Sequence, residues 1–173
     1  MPYFILHPGD YAPYHAVYVD LMKDQDVQAA LHRQRDTFSP LIASIPEEKA
    51  NYAYAPGKWT IGQVLQHVID TERIFTFRLL ALSRGEQQPI PGFEQDDYVA
   101  AIDVSGRSLA DQRKEFLSVR DAALTLVDSI SQEQGERRGN VSGHPVLAGA
   151  LPAIMAGHVE HHTRILKDQY LNS

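Results

Sequence analysis

The fold is decided by the stretch TIGQVLQHVIDTERIFTFRLLALS, which runs from Thr60 to Ser83. Its apolar residues recur every three or four positions, which is the pattern of a helix with one buried face. Thr60 and Gln63 have the spacing of a capping box, and Gly85 stands where a left-handed residue commonly ends a helix. About 24 residues in this pattern predict a rod of ~36 Å.

Three further stretches show the helical period, and with the first they predict an all-α four-helix bundle. One covers about residues 18–45, and Pro40 within it predicts a kink or a division of the helix. A second begins after Ser108, and the last covers about residues 146–171, with Pro152 near its start, where a missing amide hydrogen costs least. The core of such a bundle commonly builds metal sites from facing side chains.

The remaining segments predict connections and an arm around one domain that spans residues 1–173. Residues 85–107 contain several prolines and glycines, so we expect a long irregular connection with one short turn at 97–101. Residues 135–143 are polar and predict a loop, and strands are at most a minor feature. Residues 1–17 are rich in tyrosine and proline and predict an extended N-terminal arm that lies on the bundle.

Composition excludes several classes of protein. The net charge is −6 and no lysine or arginine cluster is present, which argues against a nucleic-acid partner. No apolar run approaches the ~18 residues of a transmembrane helix, and the N-terminus lacks the features of a signal peptide. The chain has no cysteine, which excludes disulfides and thiolate metal ligands and fits a cytoplasmic protein. We therefore expect a cytoplasmic protein with no membrane partner.

The stretch from Gly157 to His162, GHVEHH, contains three histidines in five residues. His158 and His162 are four residues apart, so a helix places both imidazoles on one face. His161 follows His158 by three residues, so a pairing of these two is also open. Glu160 lies nearly opposite His158 on the helix, and it therefore cannot act as the base of an H-E-x-x-H metalloprotease motif.

His67 lies in the middle of the helix that begins after Thr60, on a face that points inward, and it is the candidate third ligand. A set of three neutral imidazoles from His67, His158 and His162 binds zinc, nickel or another divalent ion and leaves a coordination position open. A second shell is expected, with Asp70 or Glu72 as candidate acceptors for an imidazole N–H. The competing interpretation is that these are ordinary core or surface histidines.

Other polar and aromatic residues are interpreted as structural. We interpret His7, His15, His32 and His144 as surface residues, since none has partner spacing. Trp59 is interpreted as a core aromatic. Arg73 and Arg78 could reach an anionic ligand, but arginines on a helix surface are usually solvated or paired, and we interpret them so.

Three motifs together resemble the DinB superfamily, in particular its DinB/YfiT-like metal-dependent hydrolases. They are YAPGKWTI from Tyr54, HVIDTERIF from His67 and GHVEHH from Gly157, and the resemblance covers about residues 18–171. It implies an up-down-down-up order of the four helices, one divalent metal ion and often a homodimer. It also favours His67, His158 and His162 as the ligands.

The resemblance leaves the reaction open, because the family includes S-transferases and isomerases that use a low-molecular-weight thiol such as mycothiol, bacillithiol or glutathione. A metal-dependent enzyme acting on a small-molecule substrate would be a hydrolase if its nucleophile is water. It would be a thiol transferase if an external thiol attacks, and the motifs offer no obvious inward carboxylate as a base, which favours the thiol. The alternative is a non-catalytic metal-binding or stress-related dimeric module. A further alternative is that the histidines bind no metal in the cell.

Overall fold

The computed structural model describes residues 4–171, and four long helices form its body. The helices are α1 (Ala16–Met22), α2 (Val27–Ser44), α3 (Ile61–Ser83), α4 (Gln95–Ala101), α5 (Leu109–Ser129), α6 (Gln132–Gly135) and α7 (Leu151–Ile165), and the strands are β1 (Arg138–Val141) and β2 (His144–Leu147). Short 3₁₀ turns cover Pro13–His15, Glu47–Lys49 and Ala148–Ala150, and a π-helical segment, Leu166–Leu171, continues α7. The all-α prediction is confirmed.

The four long helices α2, α3, α5 and α7 form the predicted bundle with the up-down-down-up order. Helices α2 and α3 each pack against both α5 and α7. The two middle helices of the bundle, α3 and α5, run in the same direction. Gln112 of α5 donates to the Gly62 carbonyl, and Arg120, two turns further along α5, donates to Glu72, which is further along α3. A long connection between α3 and α5 makes this parallel arrangement possible.

Local sequence signals set the ends of the central helices. The side chain of Thr60 accepts from the Gln63 amide at 3.2 Å, and the Gln63 side chain accepts from the Thr60 amide at 2.9 Å, so the capping box is confirmed. Gly85 has φ of 86°, which is the left-handed conformation expected after the helix. Ser108 and Asp111 form a second capping box at the start of α5.

A polar layer divides the hydrophobic core into two clusters. One cluster contains Leu79 and Ile154, and the other contains Leu65 and Phe116. Each long helix contributes buried polar side chains to this layer, among them Gln34 from α2, His67 and Glu72 from α3, Arg120 from α5, and His158 and His162 from α7. The candidate ligands therefore lie at the level where the apolar core is interrupted.

The first helical pattern is divided, but Pro40 is not the cause. Pro40 lies inside a continuous α2, at an exposed position where the loss of one amide donor is tolerated. The break falls at residues 23–26, and Asp26 begins α2 by accepting from the Ala29 amide at 2.9 Å. This N-cap is the local signal that fixes the division.

The predicted loop at 135–143 and the predicted helix start at 146 are wrong, because a β-hairpin occupies much of this segment. Ser142 and Gly143 have φ of 54° and 81°, and they form the two-residue turn between β1 and β2. Such paired positive φ values match the twist of a hairpin. Ile90 bonds this hairpin through the Asn140 carbonyl and the Ser142 amide, each at 2.9 Å, and this anchors the connection between α3 and α5.

The described part of the N-terminal arm is in contact with the bundle. Phe4 lies so close to Gly135 and Gly149 that a Cβ at either glycine would collide with its ring. The chain then forms a 3₁₀ turn at Pro13–His15 and enters α1 at Ala16. Residues 1–3 of the arm lie outside the described residues. Within residues 4–171, no helix has the length and apolar character needed to cross a membrane.

Helix α1 packs directly on α7 at Gly157. A Cβ at this position would stand 2.8 Å from Cα of Tyr18 and closer still to the Tyr18 carbonyl group. These are backbone atoms, so no side-chain rotation relieves the collision. Glycine here permits the approach that places α1 beside the candidate site.

Replacing Gly157 with alanine tests this contact. An alanine in a helix interior is normally about 1 kcal/mol more stable than glycine. We expect the opposite sign, a loss of about 1–3 kcal/mol in the free energy of unfolding, because the added methyl overpacks the interface. Urea denaturation measures the change. Gly106→Ala is the control, since a Cβ added there would meet no described atom within 4 Å. An increase in stability for Gly157→Ala would contradict the contact.

Candidate metal centre

Helices α3 and α7 bring His67, His158 and His162 together inside the bundle. The three residues are 3%, 3% and 7% exposed. Each offers a ring nitrogen, and these nitrogens all lie within 4.8 Å of one another. Nε2 of His67 and Nε2 of His158 are 3.0 Å apart. The set predicted from the sequence is thus assembled by two different helices.

The donor set fits one divalent ion. Zinc binds imidazole nitrogen at about 2.0–2.1 Å, so two ligands of a tetrahedral site lie about 3.3 Å apart. The 3.0 Å separation between His67 and His158 is close to that value. Nδ1 of His162 is buried and has no hydrogen-bond partner among the described residues. A buried ring nitrogen without a partner is costly, and a metal ion bound within the cluster accounts for a group of this kind.

Burial keeps the three imidazoles in the neutral form that a metal requires. Burial, with a smaller contribution from His161, lowers the pKa of His67 to about 4. Burial and the neighbouring histidines also lower the pKa of both His158 and His162 well below the usual value for an imidazole. At neutral pH each imidazole is therefore uncharged and has one ring nitrogen that can bind a metal ion.

Among the described residues, the second ring nitrogen of His67 contacts a hydroxyl, and neither of the carboxylates expected there is its partner. Oγ1 of Thr71 lies 3.5 Å from Nδ1 of His67, which is a long hydrogen bond that leaves Nε2 as the ligand atom. Asp70 instead accepts from Gln66 at 3.1 Å, and Glu72 pairs with Arg120 at 2.6 Å. The sequence-based expectation for Asp70 or Glu72 is therefore wrong.

Aromatic rings enclose the cluster on several sides. The centres of the Trp59 and His67 rings are 4.8 Å apart. The centres of the Tyr18 and Phe75 rings lie 5.2 Å and 5.9 Å from the centre of the His158 ring. Trp59 is half-buried, and its carbonyl accepts from the Tyr170 hydroxyl at 2.7 Å. These rings shield the imidazoles from bulk water on the sides that they cover.

The cluster opens into two cavities. The larger has a volume of about 550 Å³ and is lined on one side by His67 and His158. Its other wall includes residues 92–96 of the connection between α3 and α5. A second cavity of about 350 Å³ contains His162 and Trp59 in its lining, and Asp96 lines both. Small molecules thus have space beside the candidate ligands, as an open coordination position requires.

His161 and Glu160 lie outside the cluster. The ring of His161 is 5.1 Å from that of His162, but His161 is half-buried and is not among the three convergent residues. Glu160 accepts from Nε of Arg164 at 2.8 Å on the outer side of α7. The open pairing of His158 with His161 is therefore not what the fold assembles.

Two residues were interpreted wrongly from the sequence. His15 is 6% exposed and Arg78 is 3% exposed, and both line the larger cavity. The signal for His15 was available, since Ala12, His15, Val19 and Met22 follow helical spacing and all are buried. Among the other three histidines, His7 and His32 are exposed as predicted, and His144 is half-buried.

The fold and the site place the chain in the class of helical bundles with a buried three-histidine cluster, and sequence comparison identifies its family. The chain matches the sequence profile of the DinB superfamily over residues 30–166. The protein belongs to this superfamily.

Two curated relatives and one solved structure are similar to the chain. A protein named "Putative metal-dependent hydrolase" from Geobacillus thermodenitrificans is 27% identical over 143 residues, which are 78% of this chain and 77% of that protein. A similarly named protein from Oceanobacillus iheyensis is 23% identical over 128 residues, or 73% of each chain. YfiT from Bacillus subtilis, described as a probable metal-dependent hydrolase with an unusual four-helix bundle topology, superposes with a TM-score of 0.67. That alignment covers 96% of this chain and 91% of YfiT at 12% identity, and it supports the fold.

The pKa of His67 predicts how the metal-free protein responds to acid. Because the folded pKa is about 4 and an unfolded histidine titrates near 6.5, the unfolded chain binds protons first. The contribution of neutral His67 to the free energy of unfolding is therefore fully present above about pH 6.5, and it is lost as the pH falls toward 4. Chemical denaturation of chelator-treated protein across this range measures the loss.

A matched pair of variants separates the buried histidine from the rest of the chain. His67→Leu should reduce the slope of stability against pH, whereas His7→Leu, at an exposed position, should keep it. Equal slopes in the wild-type protein and the His67→Leu variant between pH 4 and about 6.5 would show that burial of His67 does not cause the loss of stability in acid.

Proposed function

We propose that His67, His158 and His162 bind one divalent metal ion, with zinc or nickel as the best candidates, and that the protein is a metal-dependent enzyme acting on a small molecule. The observation that carries this proposal is the convergence of three buried imidazoles within 4.8 Å beside a cavity of about 550 Å³. Imidazole ligands suit both metals, and the absence of cysteine leaves no thiolate to bind a softer ion. The names of the two bacterial relatives, which both include the words metal-dependent hydrolase, also support a metal-dependent enzyme.

Hydrolysis is the reaction that the surroundings favour. A bound divalent ion supplies a Lewis acid that polarises a substrate oxygen and lowers the pKa of a coordinated nucleophile. The residues of this chain hold the ion, exclude bulk water through the aromatic rings and shape the cavity. Glu94 and Asp96 line that cavity and are carboxylates that can accept a proton from water, which the three sequence motifs did not reveal.

The second candidate is transfer of an external low-molecular-weight thiol. One observation favours it, since neither carboxylate nearest to His67 in sequence is free to serve as a base. Asp70 is bonded by Arg73 at 3.1 Å, and Glu72 is held by Arg120. The nucleophile would come from outside, because the chain contains no cysteine. The cavity beside the cluster offers space for such a thiol together with its acceptor.

A purely structural metal is less well supported. A structural site is closed by four protein ligands, but only three candidate ligands converge among the described residues, and two of them line a cavity. A stress-related, non-catalytic dimeric module is the remaining alternative. It predicts metal binding without turnover.

We further propose that the protein is a cytoplasmic homodimer that forms one domain per chain. Exposed apolar side chains on α3 support an association surface, since Phe77 is 56% exposed and Leu80 is 43% exposed. Val119 and Ala122 of α5 line the same shallow groove. The absence of cysteine supports a reducing compartment.

Metal stoichiometry tests the ligand set. We expect one zinc or nickel ion per chain, and loss of binding in His67→Ala, His158→Ala and His162→Ala. Each loss should exceed the roughly 10–100-fold effect that is typical of residues that only support a ligand. His161→Ala is the matched control and should bind like the wild-type protein. Competition with a chromogenic chelator measures the affinities. Equal loss in His161→Ala would show that the ligand set is different.

Activity of the metal-loaded protein separates the two reactions. A p-nitrophenyl ester reports hydrolysis, and monobromobimane with glutathione reports thiol transfer. Hydrolysis without added thiol supports the first candidate, whereas thiol-dependent consumption of bimane alone supports the second. Either activity should disappear in His162→Ala and persist in His161→Ala. Full metal binding with neither activity would favour the non-catalytic module.

A further inference from the structure

Arg78 is a buried cation without a counter-ion among the described residues. It is 3% exposed, and no carboxylate within residues 4–171 forms an ion pair with it. Its guanidinium donates to the Pro91 carbonyl at 3.2 Å, and its buried Nε has no hydrogen-bond partner in the part of the chain that the structure describes. Burial lowers the pKa of Arg78, which reflects the cost of removing this charge from water. The fold thus retains an expensive charge that no contact with a described acidic side chain offsets.

The position of Arg78 connects this charge to the candidate metal centre. Its guanidinium carbon lies 5.8 Å from the centre of the Phe75 ring and 5.7 Å from that of Phe93. Phe75 also lies beside the histidine cluster, since the centre of its ring is 5.9 Å from that of the His158 ring. Arg78 and His158 line the same cavity. A small molecule bound in this cavity therefore has both the cation and the imidazoles in its walls.

His15 adds a second unsatisfied group in the same cavity. Its ring lies 5.7 Å from that of Phe75, and its Nδ1 is buried with no hydrogen-bond partner from residues 4–171. Burial, followed by the charge of Arg78, lowers the pKa of His15 to about 4, so the imidazole is neutral and keeps one N–H donor. A guanidinium and an imidazole N–H together match the oxygens of an anion.

We propose that Arg78 and His15 form a binding subsite for the carboxylate of a small acid whose reacting group lies at the histidine cluster. A monoanion fits better than a phosphate, because the other charged residues that line the cavity are Glu94 and Asp96, both negative. Aromatic walls provided by Tyr14, Tyr18, Phe75 and Phe93 indicate an apolar or aromatic body. The placement of the acid's reacting group at the histidine cluster rests on the proposed function, whereas the binding of its carboxylate by Arg78 and His15 does not.

Calorimetric titration with benzoate and benzamide tests the subsite, because the two probes have the same shape and differ in charge. We expect the zinc-loaded wild-type protein to bind benzoate more tightly than benzamide. Arg78→Met should weaken benzoate binding at least about tenfold and leave benzamide unchanged. Arg78→Lys, which keeps the charge but loses the planar fork, should be intermediate. His15→Phe should weaken benzoate about 2–10-fold, and His15→Gln, which keeps a donor, should weaken it less.

Controls separate this subsite from a structural role and from the metal. Arg84→Met removes an exposed arginine just beyond α3 and should bind benzoate like the wild-type protein. The melting temperature of Arg78→Met should equal or exceed that of the wild-type protein, because a buried unpaired cation is removed. Metal-depleted protein should retain the dependence of benzoate binding on Arg78, so the subsite stands even if the metal proposal fails.

Several results would overturn the proposal. Equal binding of benzoate and benzamide would remove the charge preference. Unchanged benzoate affinity in Arg78→Met, with binding that disappears on metal removal, would place the carboxylate at the metal. Tighter, Arg78-dependent binding of inorganic phosphate would replace the carboxylate with another anion class. A lower melting temperature with an unchanged preference for benzoate would show that Arg78 is structural.

Discussion

The buried ion pair between Glu72 and Arg120 is the constraint on which the arrangement of the four long helices depends. Glu72 is 2% exposed and Arg120 is 0% exposed, and Nε of Arg120 lies 2.6 Å from a Glu72 oxygen. Arg120 also donates to the Leu31 carbonyl and to Gln34, whose amide donates to the Ala156 carbonyl at 2.7 Å. The network therefore joins all four helices. Breaking such a pair by removing one partner typically costs about 3–5 kcal/mol, because a buried charge is left behind.

This network also explains where the candidate metal centre lies. It occupies the same polar layer as the histidines, between the two apolar clusters of the core. Ala156, which receives the Gln34 bond, is two residues before His158, and Glu72 is five residues after His67 on α3. The network thus fixes the relative height of α3 and α7. Convergence of imidazoles from two helices depends on that height, since a shift of one turn is about 5.4 Å.

Local signals made much of the fold and of the candidate ligand set predictable. The capping box at Thr60 and the i, i+4 spacing of His158 and His162 depend only on neighbouring residues, and both are realised. The hairpin at residues 138–147 was missed, although the Ser142–Gly143 pair carried its turn signal. The helical spacing of Ala12, His15, Val19 and Met22 carried a signal for the burial of His15, but the burial itself depends on a long-range contact, the packing of α1 on α7 at Gly157. The lack of an ion pair for Arg78 within residues 4–171 likewise depends on which side chains the folded chain brings near it.

We expect one open metal site held by three imidazoles, and the coordination sphere of the bound metal is the decisive property to measure. X-ray absorption at the zinc edge of the reconstituted protein should show three imidazole nitrogens at about 2.0–2.1 Å and at least one oxygen from solvent. Addition of a small anion should change the oxygen shell and leave the three imidazoles in place. A shell of four protein ligands that does not respond to added anions, or one with fewer than three imidazoles, would rule out an open three-histidine site.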